Sequence, residues 1–325
     1  MAQGMTFLKD IAGKRILVTG ASGLIGRSLC DIALGLGAKV IGAGRSREKF
    51  ADLESNPRFG FLQYEATGSF DFCESMDVIV HAASAASPNL YTSQPVETML
   101  ANVLGVHEIL KYAVAHPCKV VFVSSSEVYG KAEPRLNGFV EADCGFVDLL
   151  NSRSSYPMGK RAAETLCISY MAEHGVDVSI VRPGHVYGPT ASASDGRVSS
   201  LWPRMAARGE DIVMKSDGVQ IRSYTYAKDC ATAILTVALR GKAGEAYNIA
   251  NPNVACSIRE LAQTIAVCAG VRVRIVLPEG SEAAAFNPMN NSRLDASKLV
   301  ALGWRAEYDV ARGIRETIAK LKERT

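Results

Sequence analysis

The segment "SSYPMGKRAAE", residues 154–164, places Tyr156 and Lys160 four residues apart. In a helix this spacing puts both side chains on the same face, one turn from each other. An ammonium group beside a phenol favours the phenolate and lowers the pKa of the tyrosine. The pair could therefore act as a general base with its activating lysine, or it could be a solvated pair on a helix surface.

A second chemical motif is the glycine pattern in "VTGASGLIGRSL", where Gly20, Gly23 and Gly26 follow an apolar run. Glycines at such positions permit a tight turn and a close approach of the backbone to a diphosphate group. The N-terminus of the following helix then supplies amide donors and a favourable dipole. After the first strand of an alternating chain, this pattern predicts a dinucleotide site.

The elements that must position these residues alternate along the first half of the chain. Short Val/Ile-rich runs bounded by Gly or Ser alternate with helix-like segments, which predicts a parallel sheet covered on both faces. The predicted strands are 15–20, 39–44, 77–83, 119–125 and 178–184, and the predicted helices are 24–37, 95–116 and 156–174.

The second half of the chain follows this pattern less regularly. It contains a predicted helix at 225–240, a strand at 245–250, and helices at 257–269 and 309–322. We therefore expect a doubly wound parallel α/β sheet, the Rossmann fold, with a smaller C-terminal substrate-binding lobe. The expected domains are residues 1–183 and 184–325, with 225–250 returning to the sheet of the first domain.

Composition limits the classes of function. The net charge of +3 is too small to indicate a nucleic-acid partner, and no apolar run approaches membrane-spanning length. Eight cysteines occur singly, without CxxC pairs or histidines at metal-ligand spacing, which indicates reduced thiols and no metal site. The N-terminal residues lack the apolar core of a signal peptide, so we expect a cytoplasmic protein.

Further stretches extend these motifs over nearly the whole chain: "HAAS" at 81–84, "ANVLGVHEIL" with Asn102, "SSSEVYG" at 124–130, "RPGHVYGP" at 182–189 and "DGVQIRSYTYAKDC" at 217–230. With the GxxGxxG turn and the Tyr156/Lys160 pair, the chain resembles the extended short-chain dehydrogenases that act on nucleotide sugars. Within that family it is most similar to the UDP-glucuronate decarboxylases, through "HAASAASP", "SSEVYG" and "DGRV" at 195–198.

The resemblance implies a set of catalytic residues. Ser125, at the end of a strand, would hydrogen-bond the reacting sugar hydroxyl, and Tyr156 would remove its proton. Lys160 would lower the pKa of Tyr156 and hold the nicotinamide ribose, and Glu127 is a further candidate base. Loss of the C4 proton would allow hydride transfer from C4 to the nicotinamide, which gives a 4-keto sugar.

The resemblance also implies two binding sets. The residues expected to bind NAD or NADP are Gly20, Ser22, Gly23, Leu24, Ile25, Gly26, Arg45, Ala82, Ala83, Asn102, Tyr156, Lys160 and Pro183. The residues expected to bind the nucleoside-diphosphate sugar are Ser84, Ser126, His185, Arg197 and Arg222. In this second set the two arginines would grip the diphosphate or a sugar carboxylate, because a guanidinium fork suits both groups.

The chain departs from the family pattern at three positions. Ser126 replaces the aspartate of dehydratases, which disfavours loss of water across C5 and C6. His185 replaces the usual asparagine, so it is either a ligand or a packed histidine. Gly44 ends the second strand where NAD-binding members have an acid, and Arg45 follows it, so that NADP is admissible.

These features predict a UDP-sugar epimerase or decarboxylase that works through a 4-keto intermediate and recycles its cofactor. An NADPH-dependent keto-sugar reductase is the alternative enzyme. A non-catalytic NADP-binding sensor is the third possibility, although such proteins typically lack the Tyr/Lys pair. The resemblance also implies a homodimer in which helices 95–116 and 156–174 form a four-helix bundle.

Overall fold

The computed structural model describes residues 5–84, 86, 88–133, 135, 137–276 and 290–323 of the chain. Its strands are mostly short and apolar, and the first one shows why they form a parallel sheet. Ile16, Leu17 and Val18 of this strand are all fully buried, which requires cover on both faces. The strands are β1 (Arg15–Thr19), β2 (Lys39–Gly44), β3 (Phe59–Gln63), β4 (Val78–His81), β5 (Lys119–Val123), β6 (Val178–Pro183), β7 (His185–Tyr187), β8 (Ile212–Met214), β9 (Ile221–Tyr226), β10 (Ala246–Ile249), β11 (Ala255–Ser257), β12 (Val273–Ile275) and β13 (Asn291–Ser292).

The helices begin and end at residues suited to those positions. Helix 155–174 ends at Gly175, whose φ of +70° is the left-handed conformation that glycine adopts without strain. A capping box between Ser257 and Glu260 begins helix 258–269. The α-helices are α1 (Leu24–Gly35), α2 (Pro88–Ser93), α3 (Pro95–Ala115), α4 (Ser155–His174), α5 (Val198–Ala207), α6 (Ala227–Arg240), α7 (Ile258–Ala269), α8 (Ser297–Ala301) and α9 (Val310–Lys322).

Seven parallel strands form the main sheet in the order β10-β6-β5-β4-β1-β2-β3. One face of the sheet is covered by α1 and α6, and the other by α3 and α4. The Rossmann arrangement expected from the sequence is confirmed. Strand β3 was not predicted, because its residues are only half-buried at the edge of the sheet and lack the Val/Ile run of the inner strands.

The remaining strands and helices build a smaller lobe. Its sheet is formed by β11, β9 and β13, with β7 pairing to β9, and a separate core is built around Trp202, Leu261 and Ile314. The chain crosses between the two parts more than once. Strand β10 pairs with β6 at the edge of the main sheet, and α6 packs on α1. Among the helices of the described ranges, none is long and apolar enough to cross a membrane.

Candidate active site

A turn between β1 and α1 forms a cradle of backbone groups. Gly20 has φ +65°, and a Cβ there would lie 2.7 Å from the carbonyl oxygen of Ala82. A Cβ on Gly26 would lie 2.3 Å from the Gly20 oxygen, so the turn closes only around glycine. Gly23 precedes the helix without a side-chain cap, which leaves first-turn amides as donors. The residues present therefore fit the diphosphate of a dinucleotide; Ser22 lies in the turn, and Leu24 and Ile25 begin α1.

The loop after β4 is tied to β1 on the other side of the cradle. The Ala83 amide donates to Thr19 Oγ1 at 3.2 Å, and Thr19 Oγ1 lies 2.9 Å from His81 Nδ1. Burial, with a smaller contribution from the charge of Lys160, lowers the pKa of His81 to about 3. The imidazole is therefore neutral, and it serves to hold Ala82 and Ala83 at the edge of the cradle.

Ser84 and Asn102 connect this loop to α3. Ser84 Oγ donates to Asn102 Oδ1 at 2.9 Å, and Asn102 Nδ2 donates to the Thr98 carbonyl at 2.8 Å. Asn102 also lies against α4, because a Cβ built on Gly159 would be 3.2 Å from the Asn102 Cβ. The two helices thus meet at Gly159, the residue before Lys160, and Asn102 links α3 to both the loop and α4.

Ser125 and Tyr156 meet at the carboxyl edge of the main sheet. Ser125 follows β5 and caps the 3-10 helix Ser126–Tyr129, and Tyr156 lies in the first turn of α4. Burial raises the pKa of Tyr156, while hydrogen bonds with the Ser125 and Tyr91 hydroxyls oppose this rise. The pKa of Tyr156 is thus raised and not lowered, contrary to what the Tyr–Lys spacing predicts, because burial outweighs the nearby donors.

Lys160 lies beneath Tyr156, one turn further along α4. Its Nζ donates to the Val123 carbonyl at 2.8 Å and lies 4.8 Å from the centre of the Phe122 ring. The distance from Nζ to the centre of the Tyr156 ring is 5.9 Å. Burial lowers the pKa of Lys160 to about 7, and the nearby Glu164 limits this decrease. The lysine is oriented by the end of β5 rather than by a direct bond to the tyrosine.

Glu127 is held by an arginine that the sequence motifs do not include. Arg153 Nη1 and Nη2 lie 3.2 and 3.3 Å from the two Glu127 carboxylate oxygens. The guanidinium also lies 5.9 Å from the centre of the Tyr91 ring. Ser126, between Ser125 and Glu127, has an exposed fraction of only 7%. The carboxylate beside the Ser–Tyr pair is thus already in an ion pair.

A buried polar network supports this edge of the sheet from behind. Glu164 accepts from Ser124 Oγ at 2.5 Å and forms a two-pronged ion pair with Arg182, at 2.9 and 2.6 Å. Arg182 also donates to the Tyr129 hydroxyl at 3.2 Å, which in turn donates to Asn248 Oδ1 at 2.6 Å. The network joins β5, α4, β6 and β10, and therefore fixes the backbone that carries Ser125.

In the smaller lobe, Arg222 of β9 is almost fully buried, with 3% of its surface exposed. It donates to the carbonyl oxygens of Ile221 and Asn290 at 2.9 and 3.4 Å, and no ion-pair partner for it occurs among the described residues. His185 packs against the Tyr224 ring, and its Nδ1 is buried without a partner in the described part of the chain. Burial, Arg222 and Arg197 lower the pKa of His185 to about 3, so its imidazole is neutral.

Arg197 has a carboxylate partner two residues before it. Its Nε and Nη2 lie 3.0 and 2.6 Å from the two oxygens of Asp195, which also accepts from Ser200 Oγ at 2.8 Å. The positive charge of Arg197 lowers the pKa of both Tyr91 and Tyr156, so its guanidinium lies near the Ser–Tyr site. Residues from both parts of the chain thus face one space.

Two of the expected cofactor residues lie at the carboxyl ends of β6 and β2. Pro183 is the buried last residue of β6 and pairs with Ile249 of β10. Arg45 is exposed just after β2 and forms no hydrogen bond or ion pair with any residue that the structure describes.

Three residues of the site were missed from the sequence: Tyr91, Arg153 and Asp195. Arg153 lies three residues before Tyr156, the spacing of one helical turn, and Asp195 begins the "DGR" turn. These local signals could have identified two of the three. Tyr91 offers no such signal, because it reaches Tyr156 only through packing of α2 against the start of α4.

A glycine cradle at the end of β1, joined to a buried Ser–Tyr–Lys group at the same sheet edge, defines a Rossmann-fold enzyme of nicotinamide-dinucleotide chemistry. Residues 16–250 match the model of the NAD dependent epimerase/dehydratase family. The chain belongs to this family.

Similar proteins agree with this assignment. UDP-glucuronic acid decarboxylase 6 of Arabidopsis thaliana is 32% identical over 92% of this chain and 86% of its own length. UDP-glucuronic acid decarboxylase 1 of Xenopus tropicalis is 30% identical over 96% of this chain and 73% of its own. A dTDP-glucose 4,6-dehydratase structure from Streptomyces venezuelae with NAD bound has a TM-score of 0.81 and 25% identity, covering 95% and 97% of the two chains. UDP-glucose 4-epimerase of Thermotoga maritima shares the fold, with a TM-score of 0.82, 21% identity and coverage of 95% and 99%.

Proposed function

We propose that this enzyme converts a UDP-sugar through a 4-keto intermediate, as an epimerase or a decarboxylase. The observation that carries the proposal is the meeting of the Ser125 and Tyr156 hydroxyls beside the dinucleotide cradle, above buried Lys160. The names of the curated relatives support a UDP-sugar as the substrate class.

In the proposed reaction, Ser125 orients the C4 hydroxyl and Tyr156 removes its proton as C4 is oxidised. A bound nicotinamide dinucleotide supplies the hydride acceptor and later the hydride donor, and its oxidised ring adds positive charge. Lys160 and Asn102 would hold the ribose next to Tyr156. An anionic Tyr156 also gains from the guanidinium of Arg197, which already acts on its pKa.

Arg222 is the proposed anchor for the diphosphate. A buried guanidinium without a carboxylate partner is costly, and a bound anion would remove this cost. Burial lowers the pKa of Arg222, which reflects the same lack of compensation. His185 is neutral, and its Nδ1, which has no partner in the described ranges, can accept one hydrogen bond from a sugar or ribose hydroxyl. Ser84 and Ser126 would also contact the sugar.

The later fate of the keto sugar separates the two chemistries. Return of the hydride to the opposite face gives the C4 epimer. A C5 carboxylate in the keto sugar makes it a β-keto acid, which can lose carbon dioxide. A keto-sugar reductase is the second candidate function, because Arg45 has no acidic partner among the residues that the structure describes and could hold the phosphate of NADPH.

The test is incubation of the purified enzyme with UDP-glucose, UDP-galactose, UDP-N-acetylglucosamine and UDP-glucuronate, with products sorted by mass and by sugar NMR. Tyr156→Phe is the matched control, since the phenyl ring keeps the packing and cannot take a proton. We expect epimer formation or loss of carbon dioxide from wild type only. Full turnover by the Phe variant would remove Tyr156 from the role of base.

We also propose a homodimer formed through α3 and α4. Val96, Leu100 and Leu104 lie at i, i+4 and i+8 on α3 with exposed fractions of 62%, 44% and 39%. Such an apolar stripe beside α4 is suited to helix packing in a bundle. Leu100→Glu should convert a dimer into a monomer in light scattering, whereas a monomeric wild type would refute the proposal. A cytoplasmic location and the absence of nucleic-acid partners stay predictions from composition.

A further inference from the structure

We infer that this enzyme selects NADP(H) over NAD(H), and that Gly44 and Arg45 at the end of β2 make the selection. In Rossmann folds an acid at the end of the second strand accepts hydrogen bonds from the ribose 2′-hydroxyl of NAD. An arginine at this place accommodates the 2′-phosphate of NADP instead. Strand β2 lies parallel to β1, with Ala43 opposite Thr19, so Gly44 ends at the edge that carries the glycine cradle.

The glycine at position 44 is not required by packing. A Cβ on Gly44 would meet only Phe50 and Ser22 Oγ, each at 3.9 Å, which is ordinary contact. By contrast, a Cβ on Gly42 would lie 3.0 Å from the Phe59 ring. The position therefore has room for a Cβ. Its lack of a side chain leaves open space beside the Ser22 hydroxyl, a donor suited to a phosphate oxygen.

Two of the acids that follow β2 in the sequence, Asp52 and Glu54, are already in ion pairs. Asp52 is bound by Arg27, which also pairs with Asp31 at 2.9 Å, and Glu54 accepts from Arg47 at 2.8 Å. Opposite Gly44 in β3 stands Gln63, an amide without charge. The end of β2 therefore presents no carboxylate of its own for a ribose hydroxyl.

Arg45, in contrast, has no competing partner within the described ranges and is exposed to solvent. An unpaired guanidinium can give charge-assisted hydrogen bonds to a phosphate dianion without first breaking an ion pair. The 2′-hydroxyl of NAD offers no such charge. This asymmetry favours NADP, in contrast to the NAD bound in the Streptomyces venezuelae relative.

The inference deepens the proposed function and shares with it one premise, that the glycine cradle binds a dinucleotide. The test therefore measures binding and not turnover. Calorimetry compares ADP-ribose with ADP-ribose 2′-phosphate, fragments that carry no reactive ring. We expect wild type to bind the 2′-phosphate about 10- to 100-fold more tightly, the range that charged hydrogen bonds give.

Variants show which residues cause the preference for the 2′-phosphate. Arg45→Ala should reduce it at least about fivefold, and Gly44→Asp should reverse it, since a carboxylate attracts the ribose hydroxyl and repels the phosphate. Arg47→Ala, two residues away and paired with Glu54, is the matched control and should leave the preference unchanged. Gly26→Ala closes the cradle and should weaken the binding of both fragments. Circular dichroism verifies that this variant folds.

Equal affinity of wild type for the two fragments would overturn the inference, as would an equal loss in Arg45→Ala and Arg47→Ala. Selective fragment binding without conversion of any UDP-sugar would leave the inference standing and reject the proposed function. Conversion of a UDP-sugar by an enzyme that prefers ADP-ribose would reject the inference and leave the proposed function standing.

Discussion

The rings of Tyr91 and Tyr156 stack face to face, with centroids 4.3 Å apart and an angle of 11° between their planes. Each hydroxyl affects the ionisation of the other: the hydrogen bond between them raises the pKa of Tyr91 and lowers that of Tyr156. When Tyr156 is ionised, the Tyr91 hydroxyl is the donor in this pair, because a phenolate can only accept. It supplies part of the stabilisation that a phenolate at Tyr156 needs in a buried site.

Tyr91→Phe should consequently move the pH dependence of catalysis while retaining the stacked ring. A base must lose its proton before it acts, so activity rises with pH through the pKa of Tyr156. Loss of one donor to the phenolate raises that pKa, and the acidic limb of kcat/KM should shift by about one unit to higher pH. Tyr170→Phe, on the outer part of α4, is the control. An unmoved limb would contradict the donor role.

The contact between Tyr91 and Tyr156 could not be predicted from the sequence. The glycine turn, the Tyr156/Lys160 pair and most inner strands were predictable, because each depends on neighbours within a few residues. Tyr91 touches Tyr156 across 65 positions of sequence, and a single sequence does not record such contacts. The raised pKa of Tyr156 was missed for the same reason: burial is a property of the whole fold.

Lys160 should make the stability of the enzyme depend on pH. Its pKa is about 7 in the folded state because of burial, against about 10.5 in the unfolded chain. Between these values the unfolded chain binds more protons, so stability increases as pH rises. Relative to Lys160→Met, wild type should gain on the order of 3 kcal/mol between pH 6.5 and 9.5. Urea unfolding at both pH values measures this difference.

The exposed Lys39, changed to Met in the same way, is the control for that experiment, because its side chain stays in water. A stability difference between wild type and Lys160→Met that stays constant with pH would show that Lys160 keeps its charge throughout the range.

The buried pair of Glu164 and Arg182 should show strong coupling in unfolding experiments. Their side chains are 11% and 13% exposed, and a change of either leaves the other as a buried charge without its ion-pair partner. We expect each of Glu164→Met and Arg182→Met to cost about 3–5 kcal/mol, and the double variant to cost less than the sum. The exposed pair Arg208–Glu210 should show no measurable coupling. Additive costs at Glu164 and Arg182 would refute a direct interaction.

The fate of the 4-keto sugar shows whether Ser126 and Glu127 can catalyse the elimination of water. Elimination of water needs a base for the C5 proton and an acid that protonates the departing C6 hydroxyl. Ser126 has a hydroxyl of far too high a pKa to donate near neutrality, and Glu127 is held by Arg153 at 3.2 and 3.3 Å. Both requirements are therefore poorly met at this site.

We therefore expect no 4-keto-6-deoxy product from UDP-, dTDP-, GDP- or CDP-hexoses, and turnover without added reductant. Mass spectrometry of the products distinguishes three results. Loss of carbon dioxide or an unchanged mass with altered sugar NMR agrees with the prediction. A product lighter by one water would contradict it. A strict requirement for one NADPH per turnover would identify the enzyme as a keto-sugar reductase, because an epimerase or decarboxylase regenerates its nicotinamide in each cycle.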